Sequence, residues 1–170
     1  MFIHRKINVI EHLRKQGAII GSNCTILSGV DVFSTEAYLV EIGNNVLIST
    51  DVKFYCHDGA VAVLNRIRNE KNDLIEKIVI GSNCFFGHGA TILRGTHIGD
   101  NCIIGAGAVV KGVFPSNSVI AGVPAKVICD IDTFYEKNKY KLLDLSKMTN
   151  EEKKEFLLQH FRERQNKSQK

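Results

Sequence analysis

From Ile80 to Val110 every sixth residue is aliphatic or aromatic: Ile80, Phe86, Ile92, Ile98, Ile104 and Val110. Four residues after each of the first five stands a smaller side chain, Cys84, Ala90, Thr96, Cys102 and Ala108, and Gly and Asn crowd the positions between. A period of six fits neither an amphipathic helix nor a strand that alternates in and out. It fits a stack of short parallel strands in which each unit forms one flat wall and turns at the next, an all-β solenoid. The same phase opens earlier, in Ile20-Gly21-Ser22-Asn23-Cys24 with Ile26, Val30 and Val32, and in Ile42-Gly43-Asn44-Asn45-Val46 with Ile48, Val52 and Phe54. Between Val32 and Ile42, and between Phe54 and Ile80, the spacing breaks the period, so extra residues leave the coil at two places. The second excursion, residues 55–77, is long and carries His57 at its root.

Outside the repeat the pattern turns helical. Ile7, Ile10 and Leu13 share one face of a segment from about Ile3 to Gln16, with Gly17 as its stop, and a helix there would cap the open first coil. After the repeat, Ile131 to Leu145 and Phe156 to Phe161 read as helices, and Thr149 with Glu152 forms a capping box. The organisation expected is a capping helix over 1–16, a solenoid over 17–129 and a helical extension over 130–170.

Composition narrows the function classes. Hydrophobic residues make up 44% and charged residues 24%, as in an ordinary soluble globular chain, and no apolar run reaches the roughly 20 residues that span a bilayer. The first ten residues contain His4, Arg5, Lys6 and Asn8 and do not read as a signal peptide, which predicts a cytoplasmic protein. The net charge of +4 comes partly from a basic tail (Lys153, Lys154, Arg162, Arg164, Lys167, Lys170), without the interleaved aromatics of a nucleic-acid surface. Of five cysteines, Cys24, Cys84 and Cys102 take the small inward site of the repeat and read as core filler, and no Cys-x-x-Cys pair suggests zinc. Cys56 beside His57 is the one thiol whose position could matter, but neighbours in extended backbone point to opposite faces.

The units Ile80-Gly81-Ser82-Asn83-Cys84, Ile98-Gly99-Asp100-Asn101-Cys102 and Ile104-Gly105-Ala106-Gly107-Ala108, with the closing Ala121-Gly122-Val123-Pro124-Ala125-Lys126, resemble the hexapeptide-repeat acyltransferases. The resemblance covers roughly residues 17–129. It implies a left-handed parallel β-helix with triangular coils of about eighteen residues, assembled as a homotrimer with active sites between subunits. Within that superfamily Cys56-His57-Asp58-Gly59 resembles the branch that O-acetylates surface-polysaccharide sugars, and the layout is similar to galactoside, maltose and xenobiotic acetyltransferases.

The resemblance implies acetyl-CoA as co-substrate, a sugar acceptor and no metal. His57 falls on the family's catalytic histidine. Imidazole titrates near 6.5, so a neutral ring can take the acceptor proton near neutral pH. Asp58 is expected to contact the sugar or to make a turn, Asp31 aligns with an acceptor-contact region, and Arg66 belongs to the polar loop that would select the sugar. On the coenzyme side, Gly105, Ala106, Gly107 and Ala108 would leave a bare surface for pantetheine, Phe85 would wall the thioester end, Gly87 and His88 follow it, and Lys111 and Lys126 would meet the phosphates. The oxyanion donor would be His88 or a backbone N–H. The acceptor hydroxyl, and even O- against N-acylation, stay open.

Two other classes compete. Gly87-His88-Gly89-Ala90 begins a stretch like the zinc-binding motif of γ-class carbonic anhydrases, but Leu93 stands where the second histidine belongs. A silent solenoid serving as an assembly module is the third.

Overall fold

The computed structural model describes residues 8–168, with side chains through 165. The expected helical residues Ile3 to Ile7 lie outside that range. In chain order, helix α1 (Val9–Lys15) precedes β1 (Ile19–Ile20) and β2 (Thr25–Ile26). Next come β3 (Val40–Ile42), β4 (Leu47–Ile48), β5 (Lys53–Tyr55) and helix α2 (Val61–Arg68). The regular run follows as β6 (Ile78–Ile80), β7 (Phe85–Phe86), β8 (Thr91–Leu93), β9 (His97–Ile98), β10 (Ile103–Ile104) and β11 (Val109–Val110). The chain then forms β12 (Val113–Phe114), β13 (Ser118–Gly122), β14 (Ala125–Asp130), α3 (Ile131–Asn138) and α4 (Asn150–Ser168).

The strands sort into three ladders visited in rotation. One runs β1-β3-β6-β9-β12, a second β2-β4-β7-β10-β13-β14 and a third β5-β8-β11. Ile80 pairs in parallel with Ile98, Phe86 with Ile104 and Ile92 with Val110, each eighteen residues on, so six-residue spacing becomes vertical stacking. All six residues of the periodic series are at most 2% exposed, and so are Ala90, Thr96, Cys102 and Ala108. Burying each large member stabilises the fold by about 1.5–3 kcal/mol relative to exposure. Phe33, Phe54 and Phe86 join in one aromatic column, with ring centroids 5.0 and 5.5 Å apart.

The polar letters of the repeat make the corners. Asn23, Asn45, Asn83, Asn101 and Asn117 hold positive φ between 55° and 62°, a conformation that Asn tolerates better than most residues. Their amides stack: Asn83 Nδ2 donates to Asn101 Oδ1 and Asn101 Nδ2 to Asn117 Oδ1, each at 2.9 Å. The glycine two residues before each of the first four corners reflects close approach of coils, since a Cβ on Gly81 would stand 2.7 Å from the carbonyl carbon of Gly99. The corner cysteines fill core and also donate to carbonyls; Cys84 Sγ reaches the oxygens of Ser82 and Gly99 at 3.4 and 3.3 Å. Burial pushes its thiol up to about 11.

Four features depart from the expectations. The repeat does not end as a parallel coil: β14 returns antiparallel to β13, with Ala121 opposite Lys126, so a hairpin occupies one edge of the second ladder. The long excursion holds a helix, α2, where a polar loop was expected. Asn69 in the left-handed region supplies the helix stop, and Glu70 N–H closes on Asn65 O at 3.0 Å. The helix expected over Ile131 to Leu145 stops at Asn138, is followed by a 3₁₀ turn over Lys139–Lys141, and gives way to extended backbone at Leu142. The helix expected over Phe156 to Phe161 is longer, Asn150–Ser168, and the capping box is formed: Glu152 N–H donates to Thr149 Oγ1 at 3.2 Å and Thr149 N–H to Glu152 Oε2 at 2.8 Å.

The chain divides into two units between Tyr135 and Glu136. Among the described residues no helix is long and apolar enough to cross a membrane.

Candidate active site

His57 stands two residues beyond β5, where the chain leaves the third ladder. Its backbone bridges antiparallel to Ile75, Asp58 N–H donates to Leu74 O and Glu76 N–H to Cys56 O, both at 2.9 Å. The outgoing and returning limbs of the excursion therefore run side by side, which holds the histidine backbone on both flanks. Within the excursion, the Asn65 amide donates to Asn72 O at 2.8 Å and accepts from Asn72 N–H at 3.0 Å, tying helix α2 to the returning limb.

The side-chain partner of His57 comes from the other excursion. Glu36 Oε2 lies 2.7 Å from His57 Nδ1, with 15% of the glutamate side chain and 42% of the imidazole exposed. Burial pushes the Glu36 carboxyl up, but hydrogen bonds from Thr35 and His57 outweigh it and hold the group below its usual range. An ionised carboxylate can only accept, so Nδ1 carries the hydrogen and the neutral ring is left with its lone pair on Nε2, facing away from Glu36. That is the tautomer a general base needs.

Arg94 ties the excursion to the coil. It follows β8, is 13% exposed, and pairs through Nε with Asp58 Oδ2 at 3.3 Å and through Nη1 with Glu76 Oε2. One guanidinium thus holds both limbs, one residue to either side of the His57–Ile75 bridge. Asp58 also accepts from Ala60 N–H at 3.0 Å, and that bond, with Arg94 and Lys111, holds its carboxyl below the usual range against the opposing effect of burial.

Two cavities meet at His57, Asp58 and Gly59. The larger, about 480 Å³, lies among Thr35, Glu36, α2 and the returning limb, including Asn72 and Asp73. The smaller, about 300 Å³, is completed by Tyr55, Leu93, Arg94 and Lys111. Cys56, fully buried, has its thiol pushed up to about 11, mainly by burial. It is a core residue with no nucleophilic thiolate near neutral pH.

The other residues expected at the site divide. Asp58 is in both cavities, with the turn role among its contacts. Lys111 is in the smaller cavity, brought there because Val110 pairs with Ile92 and Ile92 with Phe54, which puts Lys111 in line with Leu93 and Tyr55. Asp31 is paired instead with Lys53 Nζ, which holds its carboxyl low, and neither Asp31 nor Arg66 on α2 lines either cavity. Phe85, 40% exposed on β7, lines a separate cavity of about 340 Å³ with Leu47, Ile103 and Ile131.

The bare coenzyme surface needs correction. Ala108 is fully buried, because it occupies the inward small site of the repeat, and it lines no outer groove. Gly87 is buried as well; a Cβ there would stand 2.5 Å from Ala106 N, so its smallness serves the stacking of coils. Gly105 is half-buried beside Ala121, while Ala106 is exposed. His88 is exposed, with Nδ1 2.9 Å from Thr50 Oγ1 and 3.6 Å from Asp51 Oδ2, and it lines neither cavity at His57. Lys126 sits on β14, outside both cavities as well. Among the described residues no three His, Cys, Asp or Glu gather to hold a metal ion.

Comparison with known proteins fits this architecture. Residues 77–111 match the family model described as the hexapeptide repeat of succinyl-transferase. Protein CapG of Staphylococcus aureus is 42% identical over 156 residues, covering 90% of this chain and 89% of CapG. The chain belongs to the hexapeptide-repeat acyltransferase family. A second member, WbbJ of Escherichia coli (strain K12), provisionally named a lipopolysaccharide biosynthesis O-acetyl transferase, is 51% identical over 51 residues, 30% of this chain and 26% of WbbJ. The crystal structure of the hexapeptide-repeat acetyltransferase VCA0836 from Vibrio cholerae O1 biovar eltor, complexed with acetyl coenzyme A, superposes with a TM-score of 0.57 at 21% identity. The match covers 67% of this chain and 60% of that one.

Within this member of the family, sequence reading missed Glu36, Arg94 and α2. Glu36 lies inside an aperiodic stretch, and no local signal ties it to a histidine twenty-one residues later. Arg94 had a signal: it is a bulky cation where the preceding ladder residue, Leu93, is in register with Tyr55 at the root of the excursion.

Proposed function

We propose that this protein is an acetyl-CoA-dependent acetyltransferase that moves an acetyl group to a sugar hydroxyl, with His57 as general base and Glu36 as the carboxylate that orients it. The observation that carries the reading is the 2.7 Å His57–Glu36 contact where two cavities meet. The provisional name of WbbJ supports an O-linked sugar acceptor of surface-polysaccharide type, and the acetyl-CoA complex of VCA0836 supports the donor. The finer architecture in this reading is a left-handed β-helix assembled as a cytoplasmic trimer. The exposed Ala106 and Lys126 then belong to the coenzyme surface and Phe85 to its wall, across the subunit boundary.

Transfer proceeds in one complex. His57 Nε2 takes the proton from the acceptor hydroxyl as the oxygen bonds to the thioester carbonyl carbon. Glu36 stabilises the imidazolium that forms. The C–S bond then breaks, and the coenzyme A sulfur leaves with the proton that His57 returns. No acyl-enzyme is needed, since the Cys56 thiol is buried and protonated.

The test is thiol release from acetyl-CoA with a panel of nucleotide-linked and free sugars, for the wild type and His57→Ala, with metal content measured on the same preparation. Sugar-dependent release that falls on the order of 10²–10⁴-fold in the variant is the expected result. No coenzyme A binding together with stoichiometric zinc would overturn it in favour of the carbonic-anhydrase-like alternative.

A further inference from the structure

Across His57 the two cavities differ in charge. Asp58 lines both; among the described residues the larger one adds Glu36 and Asp73 and no Lys or Arg, whereas the smaller one adds Arg94 and Lys111. Glu36 lines only the larger, and it holds Nδ1, so the free Nε2 faces away from that carboxylate. In the smaller cavity the two cations are not equivalent. Arg94 is already neutralised by Asp58 and Glu76. Lys111 is exposed, and among the described residues no hydrogen bond or close ion pair is seen for its ammonium, whose charge acts on Asp58 from a longer distance. Its place is set by the ladder: Tyr55, Leu93 and Lys111 follow one another on three successive coils, about 4.8 Å apart, and His57 departs just beyond the first of them.

We infer that Lys111 is a catalytic residue that stabilises the oxyanion of the tetrahedral intermediate formed on the thioester carbonyl. The inference rests on the acetyltransferase reading and deepens it, and it replaces the expectation that Lys111 holds a coenzyme phosphate. An ammonium that shares the cavity of the base stands where negative charge develops when the acceptor oxygen adds to the carbonyl carbon, and the charge is relieved when the C–S bond breaks. The two roles differ in kinetics. An oxyanion contact is made only in the transition state and changes kcat, while a phosphate contact is uniform binding and changes KM for acetyl-CoA.

Steady-state thiol release, with acetyl-CoA and the acceptor varied separately, decides between them for Lys111→Met and Lys111→Arg. Loss of the ammonium is expected to lower kcat on the order of 10²–10³-fold. Both KM values should stay within about twofold, and Lys111→Arg should recover part of the rate. Thermal melting of both variants should stay close to the wild type, because the side chain is exposed. A large rise in KM for acetyl-CoA or for the sugar at unchanged kcat would overturn the inference and assign Lys111 to substrate binding. Unchanged kinetics would overturn it outright. Absence of sugar-dependent release from the wild type would instead bring down the underlying acetyltransferase reading.

Discussion

The coils from Ile80 to Val110 and the excursion from residue 55 to 77 belong to one chain and are held by opposite means. The coils stack identical rungs: each inward side chain rests on its counterpart eighteen residues away, and all are buried. The excursion contributes little to the core between Cys56 and Ile78, and Val63, Leu64 and Ile67 of α2 remain more than half exposed. It is held by point contacts, the Arg94 pairs, the Asn65–Asn72 amide clamp and the His57–Ile75 bridge. Repetition yields rigidity but one chemistry at every rung, and the candidate histidine, His57, lies where the repetition is broken. A polar tether also lets a single charged group govern its position.

If that division is right, the heaviest damage to stability comes from the coil. Phe86→Ala removes a fully buried ring from the Phe33–Phe54–Phe86 column and should destabilise by about 3–5 kcal/mol, read from denaturant unfolding. Gly81→Ala forces a methyl against Gly99 and should cost about 1–3 kcal/mol by the same method. Equal damage from substitutions on the exposed face of α2 would break the contrast.

On the excursion the signs should reverse, with small stability changes and larger effects on activity. Arg94→Gln releases Asp58 and Glu76 together, and stability should fall by no more than about 1 kcal/mol, as for partly exposed pairs. The same variant should lose at least about tenfold in kcat/KM through misplacement of His57, with amide exchange rising first over residues 57–76. Unfolding of the whole chain by this change would mean that the excursion is part of the core.

The smallest expected effect is on acid stability. Glu36 and Asp58 have folded-state values below their ordinary 4.5 and 3.8, so their contribution is complete above those values and is lost as pH falls through the lowered ones. The melting midpoint should therefore decline as pH drops below about 4.5, and Asp58→Asn should flatten that decline. A steeper decline in the variant would contradict the assigned sign.

The legibility of the two regions in sequence follows the same line. The six-residue period located every rung of the regular ladder because a residue that must stack on its copy leaves its mark at a fixed interval. His57 was visible because it interrupts that interval. Glu36 was not, since its pairing with His57 joins two aperiodic segments and depends on how each leaves the coil. Helix α2 was hidden within a stretch read as a polar loop, and its boundary was set by the left-handed Asn69. One small residue misled in the other direction: Ala108 was counted in a bare groove, but it is fully buried at the inward small site of the repeat.

The pairing of the two excursions at His57 is tested most directly by Glu36→Gln, with thiol release and melting measured on one preparation. The amide nearly preserves shape but cannot stabilise an imidazolium, so release should fall on the order of 10²-fold while the melting midpoint near neutral pH shifts little. Wild-type release from Glu36→Gln would contradict the Glu36–His57 pair as the working unit of the site.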